Sequence, residues 1–312
     1  MKRILYIGIL STLLISFVTC KKETKDKWED TLSSGLIRIA CDENFKALME
    51  TEIAVFEARN PGATIIPIYT NETEAIRLLT EDSVRFALTT RQNLSSKEQA
   101  ALKDRLLKVQ TCLVAFDGIA LITNKANTDS IIGMPTLKKI LTGEITEWSQ
   151  VNANSTIGTV RVLIDNNGSG ILRYALDSIT QGADLTSNIY ALNNDSEVIE
   201  KVAQMPNALG LIGINALNNV SSDEIRLVRL SKEEPATLAN SYLPYAGDIV
   251  TENYPLWRPV YILLSDPKSG LSSGLTIFFT DEIGQTIVLK SDLLPIKDPQ
   301  NRAVNIIDAY PK

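Results

Sequence analysis

Apolar residues follow two alternating rhythms along this chain. Short β-rich runs give way to stretches in which apolar positions recur every three or four residues. Residues 36–41 (Leu36-Ile37-Arg38-Ile39-Ala40-Cys41) read as a strand. A helix is expected over 45–59, with Leu48, Met49, Ile53, Val55 and Phe56 on one side and Asn60-Pro61-Gly62 ending it. Residues 64–69 form a second strand. Asn71, with Glu74 three residues on, is a capping arrangement that opens a second helix. Residues 84–88 form a third strand. Ser95 and Glu98 make a second capping box, opening a helix through Leu107. Strand then helix, three times over, predicts parallel βαβ units.

A long apolar stretch, residues 112–122, interrupts this rhythm. Beyond it the pattern predicts a short helix at 135–141, a strand at 160–164 and a helix at 168–179 behind Gly168-Ser169-Gly170. Asp195 is read as the cap of a helix carrying Val198, Ile199 and Val202. A buried strand follows at 209–213, another at about 259–264, and a helical stretch at 271–290. There is no internal repeat. The predicted fold is α/β with two lobes, each a mainly parallel sheet flanked by helices. Two crossings, near residues 112–118 and 246–260, join them. Lobe 1 comprises 35–115 and 256–312, and lobe 2 comprises 116–255. In open α/β sheets ligands sit beyond the carboxyl ends of strands, where helix starts present free N–H groups. A cleft between the lobes is therefore the expected binding site.

The N-terminus carries a targeting pattern. Met1-Lys2-Arg3 precedes a nearly unbroken apolar run over 4–18, too short and too N-terminal for a membrane span. It ends at Cys20, and the charged residues from Lys21 follow at once. A cysteine so placed resembles the lipobox of bacterial lipoproteins, although Phe17-Val18-Thr19 departs from the usual leucine and small residues. The expectation is a signal peptide over 1–19, lipidation at Cys20 and a polar tether over 20–34. The alternatives are a plain signal peptide cut elsewhere or an uncleaved anchor. The expected location is the bacterial cell envelope, lipid-anchored to the membrane, on its periplasmic or outer surface. Export permits a disulfide between Cys41 and Cys112. Both also sit in strand-like runs, where buried free cysteine is common.

Composition narrows the chemistry. The chain has 312 residues, a formal net charge of -6 and no histidine. Without histidine the commonest general base and metal ligand are missing. This disfavours serine hydrolases and zinc enzymes, and no catalytic residue, metal or cofactor is assigned. Acid pairs such as Asp42/Glu43 and Asp281/Glu282 are sequence neighbours, which rarely face one reactive atom. An acidic chain is also a poor partner for nucleic acid.

Eight segments, in order, resemble the PstS-like phosphate-binding proteins of ABC importers. They are the helix end 56–63, the loop Thr89-Thr90-Arg91-Gln92-Asn93-Leu94, and Asp117 to Asn124 at the start of the second lobe. The most specific is Thr142-Gly143-Glu144-Ile145-Thr146-Glu147-Trp148. The turn Asn167-Gly168-Ser169-Gly170, the strand 207–213, Tyr254-Pro255-Leu256-Trp257-Arg258-Pro259 and Glu282-Ile283-Gly284-Gln285 complete the set. The likeness spans roughly residues 36–296.

The resemblance implies an extracytoplasmic binding protein that holds phosphate or a related oxyanion without metal, for an ABC transporter permease. Its implied ligand groups are Asn44, Phe45, Thr89, Thr90, Arg91, Asn167, Gly168, Ser169, Gly170 and Ile171. It also implies a monomer, attached to the membrane through the lipid. Some of these have an ordinary alternative: Ser169 as a helix cap and Arg91 as a solvent-facing loop arginine. Thr70 to Thr73 either line the cleft or cap the helix, and capping is the more ordinary reading. Arg173, one turn into its helix, either replaces an arginine charge missing from the turn or is an ordinary surface arginine. The sequence departs from the family in places. Asp165 stands where arginine is frequent, Ile171 where threonine is usual, Thr90 where some members carry an acid, and Gln92-Asn93 where proline is usual. These changes weaken an anion cradle. They leave open a different polar ligand, or an anchored sensor or scaffold on the same fold.

Overall fold

The computed structural model describes residues 30–219 and 223–297. The expected signal peptide, Cys20 and the tail after residue 297 lie outside the described residues. The chain begins with β1 (Ser34–Asp42), α1 (Lys46–Arg59), β2 (Gly62–Thr70), α2 (Glu72–Thr80), β3 (Phe86–Thr89) and α3 (Ser96–Asp104). β1 pairs in parallel with both β2 and β3, as three βαβ units require. α1 turns Leu48, Met49, Ile53 and Phe56 inward at i, i+3, i+4 spacing. Asn71 accepts the N–H of Glu74 at 2.9 Å, and Ser95 and Glu98 form the expected reciprocal box.

β4 (Gln110–Asn124) is 15 residues long and joins two half-sheets. The chain then adds β5 (Ile131–Gly133), α4 (Met134–Thr142), α5 (Trp148–Val151), β6 (Arg161–Ile164) and α6 (Gly170–Tyr174), which runs on as a π-helical turn over Ala175–Ile179. β7 (Ile189–Ala191), α7 (Asp195–Gln204), β8 (Ala208–Gly213), β9 (Ile225–Leu227), β10 (Arg229–Ser231), β11 (Ser241–Tyr242) and α8 (Ala246–Val250) follow. β12 (Trp257–Leu264), α9 (Leu271–Thr280), α10 (Glu282–Lys290) and β13 (Leu294–Pro295) complete the described chain.

The main sheet runs β2-β1-β3-β12-β4-β8-β6-β7, with β13 and β9 also on β4. β4 pairs antiparallel with β12 as far as Gly118 opposite Trp257, then with β8 from Ile119 onward. The first half packs Phe45, Phe56, Phe86 and Phe279 into one core. The second packs Trp148, Ile171, Tyr254 and Leu256 into another. The fold is therefore α/β with two lobes.

Several expectations are corrected in detail. The stretch 271–290 is two helices, because the Asp281 carboxylate accepts the N–H groups of Ile283 and Gly284 and starts α10 afresh. The cap of α7 is Asn194, not Asp195, and α3 ends at Asp104 rather than Leu107. The short strands β5, β7, β9, β10, β11 and β13 were not expected, because two or three residues carry no periodicity. Residues 30–34, expected in the tether, pack on the first half. There the Asp30 carboxylate accepts the N–H of Leu271 at 2.7 Å at the start of α9.

Cys41 and Cys112 are free thiols. They stand in one cross-strand row, Cys41–Leu88–Ile262–Cys112. Three strand spacings separate them, about 14 Å, about twice the Cα separation a disulfide tolerates.

Candidate functional site: a polar seam between the lobes

The strands that carry the chain between the half-sheets place a charged pair at the passage. Asp117 on β4 and Arg258 on β12 are cross-strand partners. Arg258 Nε donates to Asp117 Oδ2 at 2.9 Å, and Nη2 lies 2.9 Å from the same oxygen. Both side chains are buried. The guanidinium carbon sits 5.8 Å from the centre of the Phe45 ring. Arg258 Nη1 and Asp117 Oδ1 have no hydrogen-bond partner among the described residues.

Beside this pair lies a carboxylate cradle. Asn71 caps α2 and so sets Glu72 at its first position, beyond the carboxyl end of β2. Glu72 Oε2 accepts from Thr89 Oγ1 at 2.9 Å, from the Thr90 N–H at 2.9 Å and from Thr90 Oγ1 at 2.6 Å. Its Oε1 accepts from Arg173 Nε of α6 at 2.6 Å. Arg173 Nη2 also donates to the Thr90 carbonyl and hydroxyl, at 3.2 and 3.0 Å. Burial pulls the Glu72 pKa upward. The hydrogen bond and charge of Arg173 and the two threonine hydroxyls outweigh it, so the carboxyl stays below its usual range.

Further bonds stitch the same seam. The N–H and hydroxyl of Thr73 both donate to the Gly168 carbonyl at 3.1 Å. Asn44 Nδ2 donates to Asp165 Oδ2 at 3.1 Å, and Asn215 donates to the Asn44 carbonyl. Gly170 fits here because it lacks a Cβ. A Cβ at that position would fall 2.5 Å from Thr90 Oγ1, 2.9 Å from Arg258 Nη1 and 3.0 Å from Glu72 Oε2.

The rest of the seam is acidic. Asp42, Asp165 and Asp195 are buried, and each has one carboxylate oxygen without a hydrogen-bond partner among the described residues. Burial pushes the Asp42 carboxyl up to about 8; Arg258 opposes the shift, and Glu72 and Asp165 add to it. Burial, then the charge of Asp165, raises Asp195 well above the ordinary range, against one N–H donated by Gly213. A pocket of roughly 990 Å³ opens next to these groups, and Glu43, Glu50, Asp195, Glu197, Glu200 and Glu224 line it with Lys46. Among the described residues no group of acids or cysteines is spaced to hold a metal ion.

The residues expected from sequence divide accordingly. Thr89 and Thr90 are in the cradle, Asn44 and Phe45 border it, and Gly168 and Gly170 supply close backbone. Ser169 is buried, and its hydroxyl accepts the Leu172 N–H as a helix cap. Three side chains do not join the cluster. Arg91 pairs with Glu98 of α3, Asn167 is exposed, and Ile171 is fully buried in the second core. Sequence reasoning gave no site role to Asp117, Arg258 or Asp195, and it read Glu72 as helix cap in preference to cleft lining. The Asn71/Glu74 cap located Glu72 but gave no sign of its partners. Arg173 was weighed as a replacement charge, and it is the cation that meets Glu72.

Two α/β halves, joined by one antiparallel strand pair and facing each other across a polar seam, define a two-lobed binding protein. The chain belongs to the PBP superfamily, whose domain profile matches residues 26–283. The phosphate-binding protein PstS of Borreliella burgdorferi is 22% identical over 307 residues, covering 95% of this chain and 99% of that protein. PstS of Bacillus subtilis is 21% identical over 283 residues, 89% of this chain and 87% of that one. The match to the Staphylococcus haemolyticus PstS is 23% over 176 residues, about half of each protein (55% and 53%). Among solved structures, a phosphate ABC transporter substrate-binding protein with bound phosphate from Clostridium perfringens superposes with a TM-score of 0.70. It is 22% identical and covers 84% of this chain and 100% of that one. An ABC-type phosphate transport receptor from Vibrio cholerae gives 0.64 at 22% identity, with the same coverage of both chains.

Proposed function

We propose that this chain is an exported, lipid-anchored substrate-binding protein that captures phosphate or a related small oxyanion between its lobes for an ABC importer. The observation that carries the reading is the cradle at β3 and α6. Two threonine hydroxyls, one backbone N–H and the Arg173 guanidinium converge on one buried anionic group, with Arg258 Nη1 beside it. Such donors stabilise an anion without a metal. The PstS relatives and the phosphate-bound Clostridium structure supply the ligand chemistry. The reading calls for a monomer, a permease partner, and attachment through Cys20.

Calorimetry of the full chain against sodium phosphate is the direct test. Saturable heat is expected. No heat with phosphate, together with clear binding of another solute, sinks the phosphate reading. A Cys20→Ala chain is expected to lose incorporation of labelled fatty acid.

A second reading, an anchored sensor or scaffold binding another polar ligand, is favoured by one observation. Glu72 and Arg173 close the seam with the protein's own side chains. The CcmR regulatory domain from Synechocystis, solved in complex with 2-PG, shares the fold with a TM-score of 0.52 at 11% identity, covering 79% of this chain and 96% of that one. A thermal-shift screen separates the two readings, because a ligand of the native state must raise the melting temperature.

A further inference from the structure

The two guanidinium groups at the seam are already matched to carboxylates of this chain. Arg258 faces Asp117 and Arg173 faces Glu72. Glu72 takes four hydrogen bonds from protein donors at 2.6–2.9 Å, three from the β3 loop and one from α6. Its oxygen also lies against Gly170. This is the bonding an anionic ligand would receive. A further anion would face the Glu72 carboxylate itself at short range, and the buried neighbours Asp42 and Asp165 are acids rather than cations. A free oxyanion added to this cradle would meet occupied donors and like charge.

We propose that the Glu72 carboxylate is a built-in anion that holds the lobes together, and that an incoming oxyanion binds by displacing it. Glu72 is thereby the residue that sets the affinity of the cleft for anions. The displacement half rests on the oxyanion reading above; the lock half stands on the geometry alone. Glu72 is the first residue of α2, and its backbone position is fixed by the Asn71 cap. With the backbone so held, displacement calls for rotation about the Glu72 side-chain bonds. A tethered carboxylate competes at high effective concentration, so wild-type affinity for a free anion is reduced. The displaced donors, Thr89 Oγ1, Thr90 N–H, Thr90 Oγ1 and Arg173 Nε, then serve the incoming group.

The test is hydrogen–deuterium exchange on the full chain, ligand-free and with 10 mM sodium phosphate. The Thr73 amide, bonded across the seam to the Gly168 carbonyl, and the Thr90 amide, bonded to Glu72, are the reporters. Peptides from β1 and β8 check that each variant is folded. In the ligand-free wild type both reporters are expected to be protected. In Glu72→Ala both are expected to exchange at least tenfold faster, with a smaller effect in Glu72→Gln, while β1 and β8 stay protected. Phosphate is expected to restore protection in Glu72→Ala and to bind it at least tenfold more tightly than wild type by calorimetry. Unchanged exchange at Thr73 and Thr90 in a folded Glu72→Ala chain overturns the lock. Equal phosphate affinity in wild type and variant overturns the displacement and leaves the phosphate reading intact. If the variant opens but phosphate neither recloses it nor gives heat, the lock is upheld and the phosphate reading fails.

Discussion

Asp117 and Arg258 face each other on β4 and β12 where both strands pass from one half-sheet to the other, 2.9 Å apart at Nε and Oδ2. The pair fixes the junction of the lobes at their shared strands, in a place water does not reach. A buried pair of this kind gains little over an apolar pair, because desolvation offsets the attraction. Removing one partner leaves an uncompensated charge and is costly. Asp117→Ala is therefore expected to lose about 3–5 kcal/mol in urea unfolding. The double change Asp117→Leu with Arg258→Met is expected to lose much less. Equal losses would show that the charges themselves are needed.

Gly170→Ala tests the close approach at the cradle. Its backbone is not in the left-handed region, so a methyl group is tolerated locally. The cost comes from contact with Thr90, Arg258 and Glu72. The expected result is faster exchange at the Thr73 amide and loss of phosphate heat, with β1 and β8 still protected. Wild-type protection at Thr73 would refute this role.

Glu52 makes stability depend on pH. It lies on α1 in the first core, its carboxylate oxygens have no hydrogen-bond partner among the described residues, and burial, with the charge of Asp281, pushes it up to about 9. The folded chain therefore holds a proton that the unfolded chain releases near its ordinary value of about 4.5. Where the unfolded state binds fewer protons, stability falls as pH rises. This contribution is complete below pH 4.5 and declines up to about pH 9. Glu52→Gln is expected to flatten that decline, raising the melting temperature at pH 8 more than at pH 5. An equal shift at both would point to packing rather than titration.

The two strand cysteines are expected to remain reduced under oxidising conditions and to differ in reactivity. Burial raises both thiols, and Cys41 is fully buried while Cys112 is partly exposed. The thiolate is the reacting form. Alkylation of the folded chain followed by peptide mass spectrometry should label Cys112 first. A Cys41–Cys112 crosslink would contradict the strand order.

Much of the fold was readable along the chain. β1, β2, α1 and α2 depend on residues within a few positions of one another: the apolar spacing of Leu48 to Phe56 and the cap at Asn71 act locally. The six strands of two or three residues were not readable, since neighbours across the sheet define them. The candidate site was readable in location more than in content. The loops holding Thr89, Thr90 and Gly170 were identified. Arg91 was expected beside them, but the structure gives its guanidinium to Glu98.

The sequence by itself determined the α/β rhythm, the absence of histidine chemistry and the helix starts that border the cleft. Only the tertiary structure decided which charges meet. Glu72 reads as an ordinary acid at the first position of a helix, a place the helix dipole favours, until β3 and α6 bring Thr90 and Arg173 to it from 18 and 101 positions away. Asp117 and Arg258 meet only because β4 and β12 pair across 141 positions. Propensity and capping act over a few residues, whereas an ion pair depends on distance in space, which the packing of the whole chain sets.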